Sequence, residues 1–214
     1  MASPTRTRST PRAEASIPSD PETGSSSQRE RRRRILDATL ALASKGGYDA
    51  VQMRAVADKA DVAVGTLYRY FPSKVHLLVS ALHREFEKVD DRPQKTSARN
   101  GTAEDRLKRV VHAMTRTMQK DPLLTEAMTR AFMFADASAA TEVELVGRLI
   151  DRIFAKAMTP DEPSQVQLDI ARVISDVWLS NQVAWLTRRS SATDVSKRMD
   201  LTIHLLLNSK SAEV

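Results

Sequence analysis

The amino-acid sequence predicts an all-α protein of nine helices, three of which form a helix-turn-helix headpiece near the N-terminus. Apolar residues recur at intervals of three and four along most of the 214-residue chain, and no sustained apolar/polar alternation indicates a strand. Only 6 glycines argue against a turn-rich all-β fold, and the absence of cysteine excludes disulfides and thiolate metal sites. A hydrophobic content of 41% with 5% aromatic residues suits an aliphatic helical core.

Residues 1–27 are rich in Ser, Thr, Pro and Arg and have almost no large apolar side chains, which predicts a disordered basic tail. The tail lacks the apolar segment of a secretory signal, and no apolar run reaches the roughly 18 residues of a membrane span. We therefore expect a cytoplasmic protein. Arg29 to Arg34 hold five arginines and one glutamate, so +4 of the chain's net +6 lies in one hexapeptide.

The first helix is predicted from Gln28 to about Lys45, with Ile35 and Leu36 on its buried face. Gly46-Gly47 should end it with a left-handed cap. We expect a helix-turn-helix domain at residues 28–75 and an effector-binding and dimerisation domain at residues 76–210.

Two short amphipathic helices follow between Met53 and Phe71 with only a few residues between them. Helices this short are unstable alone, so they must cross closely. Asp61 lies at the turn, where Asp tolerates a left-handed backbone. This pattern predicts a helix-turn-helix, which places its second helix in the DNA major groove.

Capping residues mark the starts of most of the remaining helices. Ser73 is predicted to cap a fourth helix that runs to about Val89, and Thr102 with Asp105 to cap a fifth that runs to about Lys120. Asp121-Pro122 opens the sixth helix, and the seventh spans about Ser138 to Met158. Ser164 with Gln167 caps the eighth helix, which runs to about Arg189, and Thr193 caps the ninth, which runs to about Leu207.

The stretch Thr66–Lys74, T-L-Y-R-Y-F-P-S-K, resembles the recognition helix and following turn of the TetR family of bacterial repressors. The match extends back to the Gly46–Asp49 turn and covers about Ile35 to Leu82. Asp61 departs from the family, which usually has glycine there. The resemblance implies a nine-helix TetR-type fold, a homodimer on double-stranded palindromic operator DNA, and a small-molecule effector bound in the C-terminal domain.

A basic cluster beside a helix-turn-helix favours phosphate contact, with a solubilising tail as the alternative. Arg54 and Thr66 can hydrogen-bond base edges, and Gly65 lets the backbone approach DNA. Tyr68 and Tyr70 lie one position off the buried face, and the family resemblance assigns them and Lys74 to the DNA backbone. The predicted DNA-binding residues are Arg31, Arg32, Gln52, Arg54, Val64, Gly65, Thr66, Tyr68, Tyr70 and Lys74.

The middle helices concentrate methionine and phenylalanine, which fill core gaps and also suit apolar ligands. The residues alone favour core, whereas the family resemblance favours an effector site. The predicted effector-binding residues are Met114, Met118, Leu124, Met128, Phe132 and Trp178, with an interface position as the alternative for Trp178. Within the family, Val51–Ala57, Asp121–Ala131 and Ile174–Asn181 resemble a repressor of cholesterol catabolism, which implies a steroid coenzyme A thioester as the effector.

The last two helices are apolar on wide faces. The family resemblance places a twofold dimer interface there, and burial within the protomer's own bundle is the alternative. The predicted interface residues are Ile174, Asn181, Trp185, Met199, Ile203 and Leu206.

An enzyme is the main competing class. The four histidines are scattered and form no metal-ligand or triad motif, and no Gly-rich phosphate loop is present. We therefore expect no catalytic residue, no cofactor and no metal. A membrane-surface protein is disfavoured because the helix beside the arginine cluster lacks aromatic anchors. The remaining alternative is a TetR regulator of drug efflux or of another lipid pathway.

Overall fold

The computed structural model describes residues 26–91 and 100–208, which form nine α-helices and no strand, so the predicted fold class is confirmed. The helices are α1 (Ser26–Ala50), α2 (Met53–Ala60), α3 (Val64–Tyr70), α4 (Lys74–Asp90), α5 (Ala103–Gln119), α6 (Pro122–Met133), α7 (Ala140–Met158), α8 (Gln165–Leu186) and α9 (Ala192–Leu207). Most of the predicted tail, residues 1–25, lies outside the described residues, whereas Ser26 and Ser27 already belong to α1.

The helical geometry of α1 is interrupted at the two glycines, where the sequence predicts the helix to end. Gly47 has the expected positive φ (65°), but its ψ of −159° is extended and differs from that of a left-handed cap. A Cβ on Gly46 would lie 2.7 Å from the Cβ of Ala50. The first position therefore needs glycine for its close approach and the second for its backbone.

The turn between α2 and α3 has the predicted geometry. Asp61 has φ 52° and ψ 57°, the left-handed conformation, and its N–H donates to the carbonyls of Ala57 and Asp58. Ala57 and Leu67 are fully buried where the two helices cross. The small alanine allows the backbones to approach, so the two short helices stabilise each other.

The predicted caps of α4, α5, α6 and α8 are present, including both capping boxes. The cap predicted for α9 at Thr193 is wrong. Ser191 caps this helix and forms the box with Asp194, because the three-residue spacing fits Ser191, and Thr193 lies inside the first turn. A 3-10 turn (Ala137–Ala139) precedes α7, and α8 ends at Leu186 instead of near Arg189.

Two helices connect the headpiece, α1 to α3, with the rest of the bundle. α4 follows directly from the headpiece and packs on α6 and α7, and α6 also lies along α1. The pairs α7·α8, α8·α9 and α5·α9 complete the bundle. Within the described ranges, no helix is long and apolar enough to cross a membrane.

Candidate DNA-binding surface and effector cavity

Helix α3 buries one face in the headpiece and turns the other to solvent. Leu67 and the following Phe71 are buried, whereas Tyr68 is 48% exposed. Gly65 is exposed, and a Cβ built there meets no atom within 4 Å. Nothing in the free protein therefore requires glycine at this position, which leaves its backbone open to an external surface.

Two further candidate DNA-binding residues lie at the start of α2, the helix that precedes α3 in the chain. Gln52 and Arg54 are both exposed, and the Gln52 side chain makes no capping hydrogen bond to α2. Val64 and Tyr70 are half-buried and pack against the headpiece core. The free polar groups on this side thus belong to Gln52 and Arg54, in addition to the hydroxyl groups of α3.

Lys74 shares an aromatic ring with a cation from the C-terminal domain. Its Nζ lies 3.8 Å from the ring centroid of Tyr48, and the Arg130 Cζ lies 4.4 Å from the same centroid. Burial lowers the pKa of Lys74 and is opposed by nearby Asp49. Lys74 of α4 and Arg130 of α6 thus place two cations on one ring, with the carboxylates of Asp49 and Glu126 beside them.

The arginine cluster is partly bound within the protein. The Arg32 guanidinium lies 5.5 Å from the Phe71 ring centroid, and burial lowers its pKa. Arg33 pairs with Glu30 at 2.7 Å and with Asp37 at 3.4 Å. Arg31 is half-buried. The charge of +4 already counts Glu30, whereas Asp37 lies outside the hexapeptide and further reduces the positive potential around Arg33.

A cavity of about 90 Å³ lies between α4, α5, α6, α7 and α8. Its lining is mostly apolar, with a few polar groups on α6 and α8. The lining residues are Leu82, Phe86, Met118, Thr129, Phe132, Val146, Gly147, Ile150, Ser175, Asp176, Trp178, Leu179 and Gln182.

Three of the six residues predicted to bind an effector line this cavity, namely Met118, Phe132 and Trp178. The other three do not line it in this state of the protein, and their role in effector binding stays a prediction. Met114 and Met128 are buried in the core, and Leu124 packs against it from the surface. A methionine-rich sequence shows that a helix has an apolar face, but not which part of that face borders a void.

Trp178 belongs to the cavity wall. Its Nε1 donates a hydrogen bond to Thr115 Oγ1 at 2.8 Å, and its ring meets Phe154 and Phe86 edge to face at centroid distances of 5.8 and 6.1 Å. The ring is buried inside the protomer. A buried ring offers no surface to a second subunit, so the burial of Trp178 disfavours its alternative position in a subunit interface.

Sequence reasoning missed the cavity residues of α7 and most of those of α8. Ser175, Trp178, Leu179 and Gln182 recur at intervals of three and four, which is the stripe of one helix face. Ser175 Oγ also donates to the Asp151 carboxylate at 2.6 Å, and burial raises the pKa of Asp151. A glutamine within that stripe was a signal that could have marked the site.

Four of the predicted interface residues lie inside the protomer, which corrects that expectation. Ile174, Asn181, Met199 and Ile203 are buried by the chain's own helices, so they offer no surface to a second copy. Trp185 and Leu206 remain partly exposed. The large apolar side chains most exposed on α8 and α9 are Val166, Val173, Leu201 and Leu205.

No group of three or more His, Asp or Glu side chains within residues 26–91 and 100–208 is arranged to hold a metal ion. The two candidate functional sites described above are thus the exposed side of the headpiece and the apolar cavity.

A helix-turn-helix headpiece joined to a larger helical domain is the architecture of a class of DNA-binding transcriptional regulators. Residues 35–81 match the model of bacterial regulatory proteins of the tetR family, and residues 101–206 match the tetracyclin repressor-like C-terminal domain. The chain belongs to the TetR family of transcriptional regulators.

Close relatives are named as repressors. The chain is 65% identical over 211 residues to the HTH-type transcriptional repressor KstR of Rhodococcus jostii, covering 99% of this chain and 98% of that one. It is 67% identical over 192 residues to KstR of Mycolicibacterium smegmatis, covering 90% and 94%. The role shared with these relatives is regulatory and not enzymatic.

Solved structures share the fold. A TetR regulator from Rhodococcus sp. RHA1 matches with a TM-score of 0.78 and 30% identity, covering 86% of this chain and 97% of that one. Bacillus subtilis FadR in complex with stearoyl-CoA matches with a TM-score of 0.58 and 18% identity, covering 82% and 97%, which is a likeness of fold alone.

Proposed function

We propose that this protein is a dimeric repressor of steroid catabolism genes, which a steroid coenzyme A thioester in the apolar cavity releases from its operator. The observation that carries the proposal is that helices α4 and α6 both line the cavity and contact the headpiece. Identity of 65% to a KstR repressor over nearly the whole chain supports the repressor role. Operator binding places the protein in the cytoplasm, at the nucleoid.

The operator-facing surface comprises the exposed side of α3, the start of α2 and the start of α4. Arg54 and Thr66 supply donors for base edges, while Tyr68, Tyr70 and Lys74 supply donors for phosphates. Gln52 and Gly65 sit between these groups. Contacts to phosphates position the protein, and contacts to base edges specify the sequence.

Dimerisation is proposed through the exposed apolar face of α8 and α9. Val173 is 47%, Leu201 58% and Leu205 59% exposed, an arrangement that is costly unless a second surface covers it. Trp185 and Leu206 border this face. A twofold dimer would separate two recognition helices by about 34–36 Å and so match a palindromic site.

Effector binding is coupled to the headpiece through the walls of the cavity. Leu82 and Phe86 line the cavity from α4, whose first residue is Lys74. Thr129 and Phe132 line it from α6, where Arg130 stacks on Tyr48 of the headpiece. A change in the spacing of these helices therefore reaches both the lysine and the tyrosine.

The size of the cavity makes such a change necessary. At about 90 Å³ it is smaller than the roughly 300–1,000 Å³ of sites that enclose drug-sized ligands. A steroid can enter only if the surrounding helices separate. Because the ligand then binds the expanded state more tightly, it shifts the population away from the state that fits the operator.

The test is operator binding by fluorescence anisotropy, with fragments of the source genome and added thioesters. Binding upstream of steroid-degradation genes, and release by a steroid thioester but not by free coenzyme A, would support the proposal. Release by a fatty acyl-CoA alone, or binding upstream of efflux genes, would replace it with a different lipid or drug regulator. Absence of sequence-specific binding would contradict the repressor role itself.

A further inference from the structure

The cavity contains one polar group that the protein leaves without a partner. Gln182 is 1% exposed, lines the cavity, and its Oε1 accepts no hydrogen bond. Its Nε2 lies 3.5 Å from Thr115 Oγ1, at the limit of a hydrogen bond. Buried amide groups are normally paired, because an unpaired one loses its hydration without compensation.

Neighbouring groups do not fill this vacant position. Thr115 Oγ1 already accepts the shorter hydrogen bond from Trp178 Nε1, at 2.8 Å. Most of the cavity lining is apolar, including Phe86, Phe132 and Leu179, and its other polar side chains are Thr129, Ser175 and Asp176. Gln182 Oε1 therefore receives no hydrogen bond, and the amide meets the Thr115 hydroxyl only through Nε2, at 3.5 Å.

The position of the amide along α8 indicates which end of a ligand it would meet. Ser175 and Gln182 mark the two ends of the cavity stripe, separated by seven residues and hence by about 10 Å along the axis. Asp176 at one end is exposed, whereas Gln182 at the other is buried. A ligand that lies along this stripe has one end beside Asp176 and the other, its leading end, beside Gln182.

We propose that Gln182 is a specificity-determining residue that hydrogen-bonds an uncharged oxygen, a hydroxyl or a ketone, at the leading end of an apolar effector. A hydroxyl donates to Oε1, and a ketone accepts from Nε2 when the amide is turned over. A charged leading group is disfavoured because the apolar walls around the amide would leave its charge unpaired. The inference rests on the proposed function, since it assumes that the effector occupies this cavity.

The variant Gln182→Met keeps the length and volume of the side chain but removes both polar atoms. Asn181→Leu is the matched control. Asn181 is also a buried amide of α8 whose Oδ1 has no partner, but its Nδ2 donates to the Val177 carbonyl and lies 3.8 Å from Met199 Sδ on α9. Asn181 does not line the cavity.

The first measurement is calorimetric affinity for three steroid acyl-CoA probes, which carry a ring hydroxyl, a ring ketone or no ring oxygen. We expect the wild-type protein to bind at least one oxygenated probe roughly 3- to 10-fold more tightly than the deoxygenated probe, the range of one neutral hydrogen bond. Gln182→Met should abolish this preference, and Asn181→Leu should keep it. Equal binding of all three probes by the wild type, or a preference that survives in Gln182→Met, would overturn the proposal. Which oxygenated probe binds more tightly identifies the amide atom used.

The second measurement is the Tm of each ligand-free protein, which needs no effector. Because Gln182→Met removes an unpaired buried acceptor, its Tm should equal or exceed that of the wild type. A clear fall in Tm would show that the amide is already satisfied within the protein and would overturn the proposal. If no steroid probe binds any of the proteins while operator binding is retained, the steroid effector fails, and the Tm result still tests the unpaired amide.

Discussion

The headpiece and the effector domain solve opposite packing problems. The headpiece has a closed core, with Ile35, Val56 and Leu67 fully buried, and it presents its polar groups to the outside. The effector domain contains a partly open cavity of about 90 Å³. Within the described residues, the buried side-chain amides with an unpaired atom, those of Gln119, Asn181 and Gln182, all lie in α5 and α8 of this domain.

This difference matches the two kinds of recognition. DNA is a large, regular surface that a rigid, outward-facing helix can meet without deformation. A small apolar ligand must be enclosed, so its site has to be internal and able to change volume. In the proposed mechanism, the incompletely packed interior lies in the domain that binds the ligand, and α4 and α6 transmit the change to the headpiece.

The largest expected effect is a loss of operator affinity caused by substitutions that lie outside the headpiece. The double substitution Leu201→Lys and Leu205→Lys places charges on the proposed dimer face. We expect monomers by light scattering and operator affinity weakened by roughly 10²–10⁴-fold, because the second headpiece is no longer tethered to the first. Leu145→Lys is the control, since Leu145 is a similarly exposed leucine that lies on α7, outside both the headpiece and the proposed dimer face. A double variant that stays dimeric would move the interface elsewhere.

Matched leucine deletions compare the packing of the two regions directly. Leu67 is buried in the headpiece core, whereas Leu82 is buried but borders the cavity. Within the about 2–5 kcal/mol of buried Leu→Ala substitutions, Leu67→Ala should lie near the upper end and Leu82→Ala near the lower. The reason is that Leu82 already lacks neighbours on one side. Denaturant unfolding gives both values, and a larger loss for Leu82→Ala would contradict the contrast.

Two substitutions on the reading surface separate specificity from general affinity. Arg54→Ala should cost about 1–3 kcal/mol of binding to the specific operator if Arg54 reads a base. Lys74→Ala should weaken binding to all sequences alike and reduce the salt dependence by about one phosphate contact. Anisotropy titrations on specific and random duplexes at several salt concentrations provide the comparison. Unchanged operator affinity in Arg54→Ala would remove that residue from the site.

Two glycine substitutions, one on the proposed DNA-reading helix and one in the cavity wall, test whether operator binding and effector binding depend on different regions. Gly65 on α3 and Gly147 on α7 both face open space, and neither has a positive φ. Alanine should raise the free energy of unfolding by up to about 1 kcal/mol at each, because glycine is a poor helix former. Gly65→Ala should then weaken operator binding only, and Gly147→Ala effector binding only. Loss of effector binding in Gly65→Ala together with loss of operator binding in Gly147→Ala would contradict the account.

The smallest expected effect is a pH dependence of stability that arises from Glu104, in the first turn of α5. Hydrogen bonds from Lys108 and Asn208 lower the pKa of Glu104 to about 2, and the bond from Asn208 ties α5 to the end of α9. Since the folded pKa lies below the unfolded value, this stabilisation is complete above about pH 4.5 and is lost as the pH falls toward 2. Glu104→Gln should lower the Tm at neutral pH, and the difference from the wild type should shrink over that window. A constant difference in Tm would exclude this role.

The headpiece was predictable because its determinants are local. Asp61 adopts the expected left-handed conformation between α2 and α3. The capping boxes of α5 and α8 in the C-terminal domain were predictable for the same reason, since each depends on residues three positions apart. The cavity depends on how five helices pack, so a methionine count led to Met114 and Met128, while Gln182 was missed. The interface residues were misplaced for a related reason, because an apolar stripe such as Ile174 and Ile203 does not reveal whether the partner is the same chain.

The central claim is that operator and effector compete through two states of one molecule. The most direct test measures thermodynamic linkage, with the Kd of the operator determined with and without the steroid thioester and the Kd of the thioester with and without the operator. The account predicts that each ligand weakens the other by the same factor. Effector binding that is equally tight with free and operator-bound protein would contradict it.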